Sequence, residues 1–185
     1  MEYTNRKLYG GAITLNIPKE FDDISNVRDV PDHQEVFVDG FSESSIIVEI
    51  LDPIDFAGCR NVAEYYFMDI SEFNSSLDTR IIYSEPLSTY SNDLEISKCF
   101  GNQKLDKRYP DGIRREELEL YLLVLRVVSK KADIVISFNN PTGCAAVKKS
   151  LHTNTDDRRH TEKEIREIMD EILRSFIIKD YNLFL

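Results

Sequence analysis

The sequence predicts an α+β fold: a single domain over residues 1–185, built as an antiparallel β-sheet flanked by α-helices. Three observations predict it. Short apolar alternations of period two recur along most of the chain. Only two stretches, at 60–73 and 161–176, carry apolar residues at helical spacing. These two interrupt runs of strands instead of alternating with single strands, which argues against a doubly wound nucleotide-binding sheet.

The elements follow in order. "KLYGGAITLNIP" reads as two extended pieces around a turn or close backbone approach at Gly10–Gly11, ended by Pro18. "DDISNV" reads as a turn or one helical turn. Val30 precedes Pro31 and is pushed to extended geometry. "QEVFVD" alternates, with Val36 and Val38 on one side and Glu35, Phe37 and Asp39 on the other. Asp39-Gly40 marks a turn, and "SSIIVEIL" returns as the antiparallel partner. In the first helix, Val62, Tyr66, Ile70 and Phe73 form a stripe widened by Ala63 and Phe67. "TRIIYSEPLST" and "LEISKCFGNQ" read as strands. "EELELYLLVLRVV" has helix-favouring content, but its alternation and the partner run "SKKADIVISFN" predict a long hairpin. Residues 142–160 read as a polar loop. Thr161 and Glu164 form a capping box for the final helix, on which Ile165, Ile168, Met169, Ile172, Leu173 and Phe176 follow at helical spacing. The apolar tail "IIKDYNLFL" is expected to dock on the body.

A chain of 185 residues should bury about 70% of its unfolded surface without a disulfide scaffold. Lys plus Arg number 23 against 33 Asp plus Glu, a net charge of −10. That balance argues against nucleic acid or an anionic membrane and permits steering toward a basic protein surface. Cys59, Cys99 and Cys144 are odd in number and widely spaced, so neither a zinc site nor disulfides are expected, and free thiols fit a reducing compartment. No run is long and apolar enough for a signal peptide or a membrane span.

The chain has no Walker-type phosphate loop and no G-x-G-x-x-G. His33, His152 and His160 lack ligand spacing, and His160 reads as part of a solvated loop. No metal or cofactor is expected. The acidic stretch "RDVPDHQEVFVD" leaves alternatives open. Asp29 or Asp32 suits an Asx-type turn that caps backbone N–H groups. Asp32 and Glu35 could instead serve as an acid/base pair in a hydrolase, if a pocket separated their pKa values. A third reading makes the acids a surface that meets a basic partner, with Phe37 either an apolar anchor among them or a residue covered by a helix.

"LYGGAITLNIP" (8–18), "RDVPDHQEVFVD" (28–39), "SIIVEIL" (45–51), "ADIVISFNNP" (132–141) and "DYNLF" (180–184) together resemble the Mog family of Ran-binding proteins. The match spans nearly the whole chain and is weakest over 75–115. The resemblance implies a PsbP-like α+β fold. It also implies binding to the GTPase Ran, preferably in its GTP form, with release of guanine nucleotide in support of nuclear protein import. No chemical turnover, cofactor, nucleic acid or membrane is implied, and the expected state is a monomer in nucleus and cytoplasm. The motif's Ran-binding acids fall on Asp32 and Glu35, its Gln on Gln34, and a commonly basic position just upstream on Arg28. An adaptor that binds Ran without promoting exchange is the alternative within the same resemblance.

Overall fold

A computed structural model describes every residue except 25, 26, 28, 92, 110–111, 143–158 and 185, with side-chain detail also left out at 87–91, 107–109 and 112–114. In chain order the elements are β1 (Tyr3–Leu8), a 3₁₀ turn (Tyr9–Gly11), β2 (Ile13–Pro18), β3 (Phe21–Asp23), β4 (Gln34–Asp39), β5 (Ser45–Leu51) and α1 (Val62–Phe73). Then come β6 (Asp78–Ser91), β7 (Leu94–Tyr109), β8 (Gly112–Val127), β9 (Ala132–Pro141), α2 (Glu162–Ser175), β10 (Ile177–Ile178) and a final 3₁₀ turn (Tyr181–Phe184). A three-stranded sheet has the order β1-β2-β10, and a seven-stranded sheet the order β3-β4-β5-β9-β8-β7-β6. Every pairing is antiparallel.

The period of two along β8 divides the interior. Tyr121, Leu123, Leu125 and Val127 join the cluster that holds α2 and the small sheet. Leu120, Leu122 and Val124 join the cluster around α1 on the opposite face. Leu and Glu favour helix locally, yet burial on both faces makes β8 a central strand, as the alternation predicts. Ile134, Ile136 and Phe138 share the α2 side, as expected.

Both helices start on a side-chain cap, and that of α2 is the one the sequence predicts. The Thr161 side chain accepts from the Glu164 N–H while the Glu164 carboxylate accepts from the Thr161 N–H, a complete capping box. Ile165, Ile168, Met169 and Ile172 are buried beneath α2. Asn61 caps α1 by accepting from the Glu64 N–H at 3.0 Å. Gly101 lets α1 approach the sheet: a Cβ there would stand 2.1 Å from the Arg80 carbonyl oxygen and 2.8 Å from Phe67 Cζ.

Four expectations change. Phe73 leaves the buried stripe of α1 and is 89% exposed, because Ser71, bonded to Thr79 on β6, takes the inward position in the last turn. Asp22 and Asp23 belong to β3 instead of a turn, held by pairing with Val38 and Phe37. The Gly10–Gly11 turn forms, but nothing lies within 4 Å of a Cβ at either glycine, so conformation and not close approach requires them. His160 is buried rather than solvated. It lies between Phe21 and Phe138, with Nε2 3.2 Å from the Asp39 carboxylate. Most of the polar loop, with His152 and Cys144, lies outside the described residues.

Asp39 is buried as well. Burial acts to raise its pKa, but hydrogen bonds from the Ser42 hydroxyl, the Phe41 N–H and His160 outweigh it and hold the carboxyl below its ordinary 3.8. On the α1 side, fully buried Asp133 receives both arms of Arg126 at 2.7 Å and the Tyr66 hydroxyl at 3.0 Å. Arg126 also donates to the Ile54 carbonyl, so this ion pair fastens the 52–56 segment and α1 to the sheet. Burial, then the charge of Glu64, pushes the Cys99 thiol up to about 12, a core thiol and not a nucleophile. No helix among the described residues is long and apolar enough to cross a membrane.

Candidate functional site

The segments that carry the resemblance are far apart in sequence, and the fold brings four of them to one corner. Leu8 ends β1, and Tyr9, Gly10 and Gly11 then have φ of 51°, 66° and 98°. Left-handed geometry costs glycine little and tyrosine more, so Tyr9 must be held there by its surroundings. Two contacts hold it. Its backbone N–H donates to Glu35 Oε1 at 2.6 Å. Its hydroxyl lies 2.9 Å from the Val48 carbonyl and 3.1 Å from the His33 carbonyl. Burial, followed by the Glu35 and Glu49 charges, raises the Tyr9 phenol above its ordinary range, which keeps the proton on the hydroxyl.

The tail closes the same corner. The N–H groups of Lys179 and Asp180 donate to the Ala12 carbonyl, directly after the turn, at 2.7 and 3.2 Å. Leu183 and Phe184 pack against the α2-side core. Together with His33, Ile50, Asp52 and Lys131 they line a groove of about 460 Å³.

Against this frame the site residues take distinct positions. Asp32 is exposed in the turn ahead of β4 and makes no hydrogen bond or ion pair with the described residues. Asp29 is likewise exposed and caps no described N–H, so the Asx-turn reading fails for both. The turn is held by the backbone, with the Gln34 N–H donating to the Pro31 carbonyl at 2.8 Å. Gln34 opens β4 opposite Glu49, and its side-chain amide donates to the Glu49 carboxylate. Glu35 is half-buried and fastens the Tyr9 turn. Phe37 is 1% exposed in the core, with the Arg6 guanidinium 5.8 Å from its ring centroid, and is no surface anchor. Arg28 lies outside the described residues.

Sequence reasoning missed two participants. Tyr9 sits inside a quoted segment, but its contacts with His33, Glu35 and Val48 depend on tertiary placement. Glu49 becomes a neighbour of Gln34 only through the register of β4 on β5.

A family model described as Ran-interacting Mog1 protein matches residues 6–141. The chain is 29% identical over 194 residues to a Dictyostelium discoideum protein named probable Ran guanine nucleotide release factor, covering 98% of this chain and 96% of that one. Against the Saccharomyces cerevisiae nuclear import protein MOG1, identity is 25% over 193 residues, covering 96% and 83%. Against the human Ran guanine nucleotide release factor it is 28% over 139 residues, covering 72% and 74%. A crystal structure of the Saccharomyces cerevisiae Ran-binding protein Mog1p matches over 100% of both chains with a TM-score of 0.72 at 22% identity, a likeness of fold.

Proposed function

The chain belongs to the Ran-interacting Mog1 family, and from that premise we propose that it binds the GTPase Ran, preferring the GTP form, and promotes guanine-nucleotide release in support of nuclear protein import. The observation that carries the reading is the family match over residues 6–141, within which the motif acid Asp32 stands exposed at a built corner. Asp32 is the recognition acid, and Gln34 and Glu35 complete the site. Glu35 also acts as a positioning residue, since its carboxylate orders the Tyr9 turn beside the contact surface. Arg28, next to the same segment in sequence, belongs to the proposed site on the family motif alone.

Release follows if the corner binds Ran with its nucleotide loosened or absent better than Ran with nucleotide held. Carboxylates do this by engaging basic groups that otherwise hold phosphate. The chain itself performs no chemical step. The hydrolase reading has no geometry in its favour, because Asp32 is exposed and Glu35 accepts a backbone hydrogen bond. The proposal extends to a monomer that works in nucleus and cytoplasm.

The test is release of fluorescently labelled nucleotide from Ran loaded with GTP or GDP, with and without this protein. Accelerated release, larger for GTP, is expected. Binding without acceleration would leave an adaptor, and no binding would refute the reading.

A further inference from the structure

β4 is laid into the sheet with its alternation inverted relative to an ordinary half-exposed strand. Its covered side carries Glu35, Phe37 and Asp39. The two acids there are satisfied internally, Glu35 by the Tyr9 N–H and Asp39 by Ser42, the Phe41 N–H and His160. Its other side carries Val36 and Val38, and Ile47 is the register partner of Val36 on β5. All three are half-buried, and none of them packs in either core cluster. α1 covers the sheet over β6, β7 and β8. Among the described residues neither helix makes more than marginal contact with β3, β4 or β5, and on that part of the face only Leu51, at the end of β5, packs against the α1 cluster. A solvated face of an antiparallel sheet is normally polar, so three β-branched apolar side chains there call for a partner.

The surroundings indicate which partner. The strand positions of this face on β3, β4, β5 and β9 include Asp22 beside Val38 and Glu49 beside Gln34, and none of them is Lys or Arg. Gln34, at the end of this strip, follows Asp32 by two positions, so the strip begins within two residues of the exposed motif acid, while Glu35 and the Tyr9 turn lie on the opposite face.

We propose that the Val36–Val38–Ile47 face is a docking surface for a partner patch with an apolar centre and a basic rim. It forms one continuous interface with Asp32, which rests on the reading of this chain as a Ran-binding protein and makes that patch part of Ran. The apolar strip supplies the desolvated centre of the interface, and Asp22, Glu49 and Asp32 supply its charged border.

The experiment uses the full chain with Ile and Val methyl groups labelled for NMR and a soluble paramagnetic probe, first alone and then with GTP-loaded Ran, after calorimetry has established that the complex forms. In the free protein the methyls of Val36, Val38 and Ile47 should relax strongly, while those of buried Ile46 and Val48 should not. In the complex the first three should become shielded. Ile47→Lys should weaken Ran binding at least tenfold with an unchanged melting curve. If that variant melts early, the methyl shielding in the wild type decides alone. Failure of the wild type to bind Ran would refute the functional reading itself. A complex in which the three methyls stay accessible would refute only this inference. Shielding in the free protein, whether constant or growing with protein concentration, would also refute it, because the face would then be covered by its own chain or a second copy.

Discussion

The backbone N–H of Tyr9 donates to the carboxylate of Glu35, 26 positions on, across 2.6 Å, joining two family segments. The bond ties the left-handed Tyr9 turn to the first residues of β4. It gives Glu35 a structural duty that a purely surface acid would not have.

Glu35→Ala should therefore destabilise by about 1–3 kcal/mol, since it leaves a part-buried N–H without its acceptor. Tyr9→Phe should cost about 1 kcal/mol through loss of the hydroxyl contacts to His33 and Val48. Urea denaturation of both variants checks this. A wild-type midpoint for Glu35→Ala would place Glu35 back on an uncommitted surface.

Arg126→Met should be costlier, by about 3–5 kcal/mol, because it leaves the fully buried Asp133 without its cation. The double variant Arg126→Met with Asp133→Leu should recover part of the loss. The same urea titrations measure both.

Asp39 gives a pH signature. Its carboxyl titrates below its ordinary range in the folded chain, so its contribution to stability is complete above the unfolded value near 3.8 and is lost as pH falls through the lower folded value. Asp39→Asn should be less stable than wild type at pH 7, and the difference should shrink below about pH 4. Thermal melts at pH 3, 4, 5 and 7 follow the gap. A gap that stays constant down to pH 3 would show that the charge of Asp39 is not stabilising.

Ile168→Asp should lower stability by about 3–5 kcal/mol or abolish folding, since it puts an unpaired charge at a fully buried position under α2. Melting followed by circular dichroism measures it.

What was legible in the sequence was local. The Thr161–Glu164 capping box and the stripe of α2 are set within a few residues, and the structure has both. The alternation of β4 and its pairing with β5 were also readable. Which side of β4 faces inward was not, because alternation offers two choices and only the register and the Tyr9 corner decide between them. Of the two readings left open for Phe37, the buried one holds, and Val36 takes the more open side of β4. His160 was misread because its partners, Asp39, Phe21 and Phe138, are distant in sequence. Phe73 was misread because the inward side of the last turn of α1 is set by the Ser71–Thr79 contact with β6, a tertiary pairing that helical spacing does not show.

The central claim is that Asp32, exposed at this corner, is a recognition acid for Ran, while Glu35 also supports the fold. The most direct measurement is calorimetric titration of Asp32→Lys into GTP-loaded Ran, beside its melting curve. The account predicts an unchanged melting curve with affinity reduced about tenfold or more, equivalent to about 1.4 kcal/mol, and a wild-type association rate that falls as salt rises. Wild-type affinity in a folded Asp32→Lys protein would contradict it and remove the acid corner from the interface.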